Sequence, residues 1–109
     1  IYADTIEENI RFGREISDED IINSRILKEA FGSISLAKLI ADLAKQHTIE
    51  EVVFMGFCTD ICVVSNVLLT KAHSPELPIT VVANCCAGVT PEKHEAALET
   101  MRSCQRKVV

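Results

Sequence analysis

A chain of 109 residues with 48% hydrophobic and 25% charged residues has the make-up of one globular domain, and no apolar run in it is long enough to span a membrane. The formal net charge of −5, with Lys and Arg scattered apart from Arg102, Arg106 and Lys107, argues against nucleic acid as a partner, because neutralising phosphate needs clustered cations. Five cysteines without the spacing of a disulfide framework, and an N-terminus IYADTIEENI without a basic start or apolar core, point to reduced thiols in the cytoplasm.

Residues 1–21 are acidic and poorly periodic, and the SDED run at 17–20 reads as a solvated turn or a helix start. Beyond them the pattern sharpens. Ser33 or Ser35 can cap a helix whose apolar positions Leu36, Leu39, Ile40 and Leu43 share one face and which ends near His47. The run Val52-Val53-Phe54-Met55, closing at Gly56, predicts a strand over about 51–56. Val63, Val64, Val67, Leu68 and Leu69 then recur at helical spacing. A breaker-rich loop at His73-Ser74-Pro75-Glu76 leads to a second apolar strand, Ile79–Ala83. Thr90 as N-cap and Pro91 at the first helical position open a last helix with the apolar stripe Ala96, Leu98 and Met101. Strand, helix, strand and helix joined by short links describe a parallel sheet covered on both faces, with right-handed crossovers. Neither an internal repeat nor a flexible linker interrupts the chain, so residues 1–109 read as one domain.

Within this order Cys62 falls where an apolar strand gives way to a helical pattern. A first-turn position exposes a thiol to unpaired backbone N–H groups and to the positive end of the helix dipole, both of which favour the thiolate. Cysteine is also a common core residue, so on spacing alone the nucleophile and the packing residue are equally good readings.

The run G-F-C-T-D-I-C-V, followed by a helix, the strand ITVVANCCAG and the segment TPEKHEAALETM, resembles the cysteine hydrolases of the isochorismatase-like superfamily, which includes nicotinamidases. The likeness covers roughly residues 22–105. It implies a three-layer α/β/α sandwich around a parallel sheet and hydrolysis of the C–N bond of a small amide through an acyl-thioester. By this resemblance Cys62 is the nucleophile, and Lys28, in the run LKEAFGS, is the lysine that assists it. An ammonium beside a thiol stabilises the thiolate. The resemblance also assigns the oxyanion hole to the backbone N–H groups of Cys58 and Cys62, expects a cis peptide at Phe57–Cys58, and makes Thr59 and Asp60 scaffold residues that hold the turn.

Part of the family pattern has no counterpart. No segment reads like the first strand with its catalytic aspartate, and relatives are commonly near twice this length. The sequence therefore resembles the C-terminal portion of such an enzyme, with N-terminal strands missing. Asp4, Glu7 and Glu8 are poor replacements for that aspartate, since Tyr2, Thr5 and Glu7 resemble a stretch beyond the first strand. The nicotinamidase-type metal ligands are not found, and His47, His73 and His94 stand singly, as surface or packing histidines; no metal and no cofactor is expected. Cys85 and Cys86 follow the second strand, where one can line the pocket, although core packing is the simpler role, and Cys104 reads as structural. A zinc site from Cys58, Cys62, Cys85 and Cys86 lacks the paired short-gap spacing of structural zinc. Sheet surface left open by missing strands favours a homo-oligomer. Two functions remain: an amidase acting on an unidentified small molecule, or a catalytically silent domain of the same fold that acts by binding or assembly.

Overall fold

The computed structural model of the chain describes residues 30–46 and 49–109. The predicted strands lie side by side in one parallel sheet. Helix α1, Ile34–Gln46, precedes strand β1, Val52–Phe57; a π-helical turn, Thr59–Val63, runs into α2, Val64–His73; β2, Ile79–Ala87, is followed by α3, Pro91–Ser103, and by a short β3, Lys107–Val108. Strand order is β1-β2-β3, both pairings being parallel. Lys28, His47 and the acidic residues Asp4, Glu7 and Glu8 lie outside the described residues.

Local chemistry accounts for the helix ends. Ser33 is the α1 cap, its hydroxyl accepting from Leu36 N–H at 3.1 Å. Thr90 caps α3 by accepting from Lys93 N–H at 3.2 Å, with Pro91 at the first position as expected. At the other end of α3, Gln105 adopts φ 61° and two bonds close the helix, Gln105 N–H to Arg102 C=O and Arg106 N–H to Met101 C=O, both 2.9 Å. This is a Schellman closure with glutamine where glycine is usual. It turns the chain directly into β3, whose extension pairs with β2 through Val109 N–H to Val81 C=O at 2.9 Å. A strand of two residues has no readable period, which is why the sequence does not announce it.

Both crossovers step the same way across the sheet, so right-handed connections place α2 and α3 on one face. The core on that face is Phe54, Ile79 and Val81 from the strands, Val63 and Val67 from the turn and α2, Leu98 and Met101 from α3, and Leu36 from α1. Each such side chain contributes about 1.5–3 kcal/mol on full burial. Met55 and Thr80, which point to the opposite face, are buried as well. The α3 stripe is Ala97, Leu98 and Met101; Ala96 is exposed, one position off the expected face.

The pairing of β1 with β2 is interrupted near its C-terminal end. Phe54 pairs with Val81 but Gly56 pairs with Cys86, so β2 carries extra residues opposite Met55. Gly56 has φ 135°, a conformation that side-chain-bearing residues rarely adopt, and the irregularity therefore needs glycine there. As a result β2 reaches Ala87, further than the predicted end at Ala83, and takes Cys85 and Cys86 into the strand.

Candidate active site

The C-terminal end of β1 is where Cys62 is placed. The Phe57–Cys58 peptide is cis, as the resemblance expects. Cys58, in extended conformation, caps the π-helical turn, and its carbonyl accepts from both Ile61 N–H and Val63 N–H at 3.1 Å, the residues on either side of Cys62. Cys62 thus lies in a π-helical turn where an α-helical first turn was expected, and the wider turn leads without a break into α2. Its side chain is half-buried.

Two side-chain bonds brace this turn from the far side of the sheet edge. Thr59 is fully buried and its hydroxyl lies 2.7 Å from His94 Nδ1 on α3. Asp60 Oδ1 accepts from Val89 N–H at 3.0 Å, in the loop before α3. The T-D pair is therefore a scaffold, as expected, although Asp60 ties two loops together and caps no helix of its own. His94 approaches so closely that a Cβ on Gly88 would lie 2.9 Å from its backbone. His94 is the packing histidine the sequence suggests, with a definite partner; His73 is exposed at the end of α2.

The Thr59–His94 bond should be measurable. Thr59→Val removes the hydroxyl from a buried site and leaves a ring nitrogen without its partner, at a cost of about 1–3 kcal/mol. His94→Leu alone should cost a similar amount, and the double variant less than the sum of the two, by about 1 kcal/mol in a denaturant double-mutant cycle. Strict additivity would show that the two side chains do not support each other.

Beside the turn, the register brings Cys86 next to Gly56. Burial pushes the Cys86 thiol up from its ordinary value, partly offset by a hydrogen bond from the Gly56 backbone. Cys86 packs against the core cluster, the packing role assigned to it, whereas Cys85 is exposed. Cys104 is exposed as well; its contribution to structure is its carbonyl, which accepts from Arg106 Nε at 2.9 Å. Among the described residues no group of three or more His, Cys, Asp or Glu side chains could hold a metal ion, the four cysteines 58, 62, 85 and 86 included.

Exposed apolar side chains gather about the same end of the molecule: Phe57 leaves β1, Val89 is held by Asp60, and Phe31 stands just before α1. A groove of about 570 Å³ lies at the opposite end, where the strands begin. Its walls alternate Glu50, Glu51 and Glu76 with Lys71, Arg106 and Lys107, so it offers no net charge and is remote from Cys62.

Sequence reasoning passed over Asn66. It is 1% exposed, and its side chain bonds Cys62 C=O at 2.8 Å, Phe31 C=O at 3.3 Å and Ser33 N–H at 2.9 Å. A signal was present: Asn66 is an amide on the same helical face as Val63 and Val67, and burying an amide there is costly unless it finds partners.

In open parallel α/β sheets, ligand sites lie at the C-terminal ends of the strands, which is where the turn carrying Cys62 is placed. The chain belongs to the isochorismatase family, whose domain model matches residues 8–109. Among solved structures, it resembles a pyrazinamidase of Pyrococcus horikoshii in complex with zinc (29% identity over 76% of this chain and 45% of that one, TM-score 0.62). It resembles the nicotinamidase SaPncA of Staphylococcus aureus (29% identity, 65% of this chain and 44% of that one, TM-score 0.56). It also resembles the nicotinamidase/pyrazinamidase PncA of Bacillus subtilis (32% identity, 66% and 38%, TM-score 0.55). The chain therefore spans less than half the length of these proteins. No protein of curated function matches it by sequence. The fold shared with these structures is the α/β/α arrangement expected from the motif, and among the described residues no helix is long and apolar enough to cross a membrane.

Proposed function

We propose that this chain carries the nucleophile of a cysteine amidohydrolase acting on a small amide of the nicotinamide or pyrazinamide kind. The observation that supports this most is the placement of Cys62: half-buried, on a turn at the C-terminal end of β1, and braced by the buried Thr59–His94 and Asp60–Val89 bonds. A nucleophile must be held within a fraction of an ångström to attack productively, and such bracing is what that requires.

In this reading the Cys62 thiolate attacks the amide carbonyl, forming a C–S bond. The oxyanion of the tetrahedral intermediate is held by the backbone N–H groups of Cys58 and Cys62, an arrangement that can be worth several kcal/mol. The C–N bond then breaks as the Lys28 ammonium gives a proton to the leaving nitrogen, which departs as ammonia. Water hydrolyses the thioester, releasing the carboxylic acid and restoring the thiol. The exposed Phe31, Phe57 and Val89 supply an apolar surround for a flat acyl group.

The test is ammonia release from a panel led by nicotinamide and pyrazinamide, with the protein quenched in acid and digested. The expected result is turnover together with an acyl adduct on the Cys62 peptide. Turnover with the adduct elsewhere would assign the chemistry to another residue. Absence of both would favour the silent domain that acts by binding or assembly.

A further inference from the structure

The three bonds of Asn66 join the nucleophile turn to the strip Phe31–Ser33, whose Gly32 also lies close against Ser65 and Leu69 of α2. Both amide hydrogens are used, on Cys62 C=O and Phe31 C=O, and the amide oxygen takes Ser33 N–H. The orientation is fixed by these partners, because a flipped amide would face two carbonyls with its oxygen and an N–H with its nitrogen. On the same buried face Val63 and Val67 are apolar and the Thr70 hydroxyl has no partner, whereas the oxygen and the nitrogen of the Asn66 amide are both bonded. Ser33 N–H is the N-terminal anchor of the α1 cap, so the clamp reaches from the Cys62 backbone into the start of another helix.

We propose that Asn66 is a positioning residue: it locks the Cys62 turn to the strip Phe31–Ser33 at the start of α1, so that the backbone carrying the nucleophile is held in one place. This rests on the role proposed for Cys62. Asn66 does not touch the reacting atoms and acts through the Cys62 backbone.

Asn66→Asp tests it with the least change of shape. A carboxylate there keeps the acceptor and loses both donors, facing two carbonyl oxygens with negative charge close to the thiol turn. The expected result is a fall in kcat of about tenfold or more with KM within about threefold, as displacement of a catalytic group predicts. Alkylation of Cys62 by iodoacetamide, followed by peptide mass spectrometry, should slow several-fold, since a nearby anion disfavours the thiolate. Two other thiols in the same molecule serve as references. Cys85 is exposed and reports reagent delivery, while Cys86, half-buried against the core, reports loosening of the fold. Slower Cys62 with unchanged Cys86 supports the clamp. Equal acceleration of Cys62 and Cys86 would show that Asn66 only holds the fold together, and an unchanged Cys62 rate in a folded variant would show that it holds nothing that matters to the thiol.

Should Asn66→Asp fail to fold, Asn66→Thr adds no charge and its hydroxyl can still back-bond to Cys62 C=O while the links to Phe31 and Ser33 are lost, so release of the turn is read as several-fold faster Cys62 alkylation with Cys86 unchanged, and an unchanged Cys62 rate overturns the clamp. The alkylation comparison needs no turnover. If the wild-type chain releases no ammonia, the amidase reading falls and the clamp is still decided by the Cys62 rate.

Discussion

Cys62→Ala is expected to lower amide hydrolysis at least about 10³-fold, to the level of the uncatalysed background, with the fold intact. The side chain is half-buried and outside the core cluster, so replacing its sulfur with hydrogen removes the proposed nucleophile without opening a large cavity. Ammonia release and circular dichroism on the same preparation separate the two effects. Lys28→Met should lower kcat by about 10²–10⁴-fold, the range of a positioned proton-transfer group. Residues acting in one step are not additive, so the double variant should be no slower than Cys62→Ala alone. Activity that survives in Cys62→Ala would move the chemistry away from this turn and leave its bracing without a catalytic purpose.

The parts of the fold that were legible are those with a period or a punctuation mark. The apolar runs at Val52–Met55 and Ile79–Ala83, the Thr90-Pro91 helix start and the Ser33 cap depend on residues within a turn of each other, and each is found. What escaped depends on partners distant in sequence. The extension of β2 through Cys86 follows from its irregular register with Gly56, and β3 exists because the Schellman closure after α3 aims two residues at Val81. The site divides in the same way. Cys62 was visible because a strand end, a T-D pair and a cysteine are contiguous. Asn66 was not, because its meaning lies in bonds to Phe31 and Ser33, more than thirty positions away, which a polar residue on a helix face does not reveal.

Phe54→Ala is the substitution expected to damage the fold most. Phe54 is fully buried at the centre of the core, in the strand that delivers Gly56, Cys58 and Cys62 to the sheet edge. It shares the core with residues from three other parts of the chain: Val81 beside it on β2, Val63 and Val67 from the turn and α2, and Leu98 and Met101 from α3. Truncation to alanine removes the transfer free energy of the ring and leaves a cavity that these elements cannot close together, at a cost of about 3–5 kcal/mol. Domains of this size have about 5–15 kcal/mol in all, so the loss should be plain as a large drop in the urea midpoint with little change in slope. Phe54→Leu keeps most of the volume and should cost far less, about 1 kcal/mol. The site offers a second readout, since Val63 is both a core contact of Phe54 and the donor to Cys58 C=O that flanks Cys62. If the core holds the turn in place, the folded fraction of Phe54→Leu should show Cys62 alkylation changed more than that of Cys85. Equal rates at both thiols would mean that the turn is fixed by Thr59, Asp60 and Asn66 alone, independent of the packing beneath it.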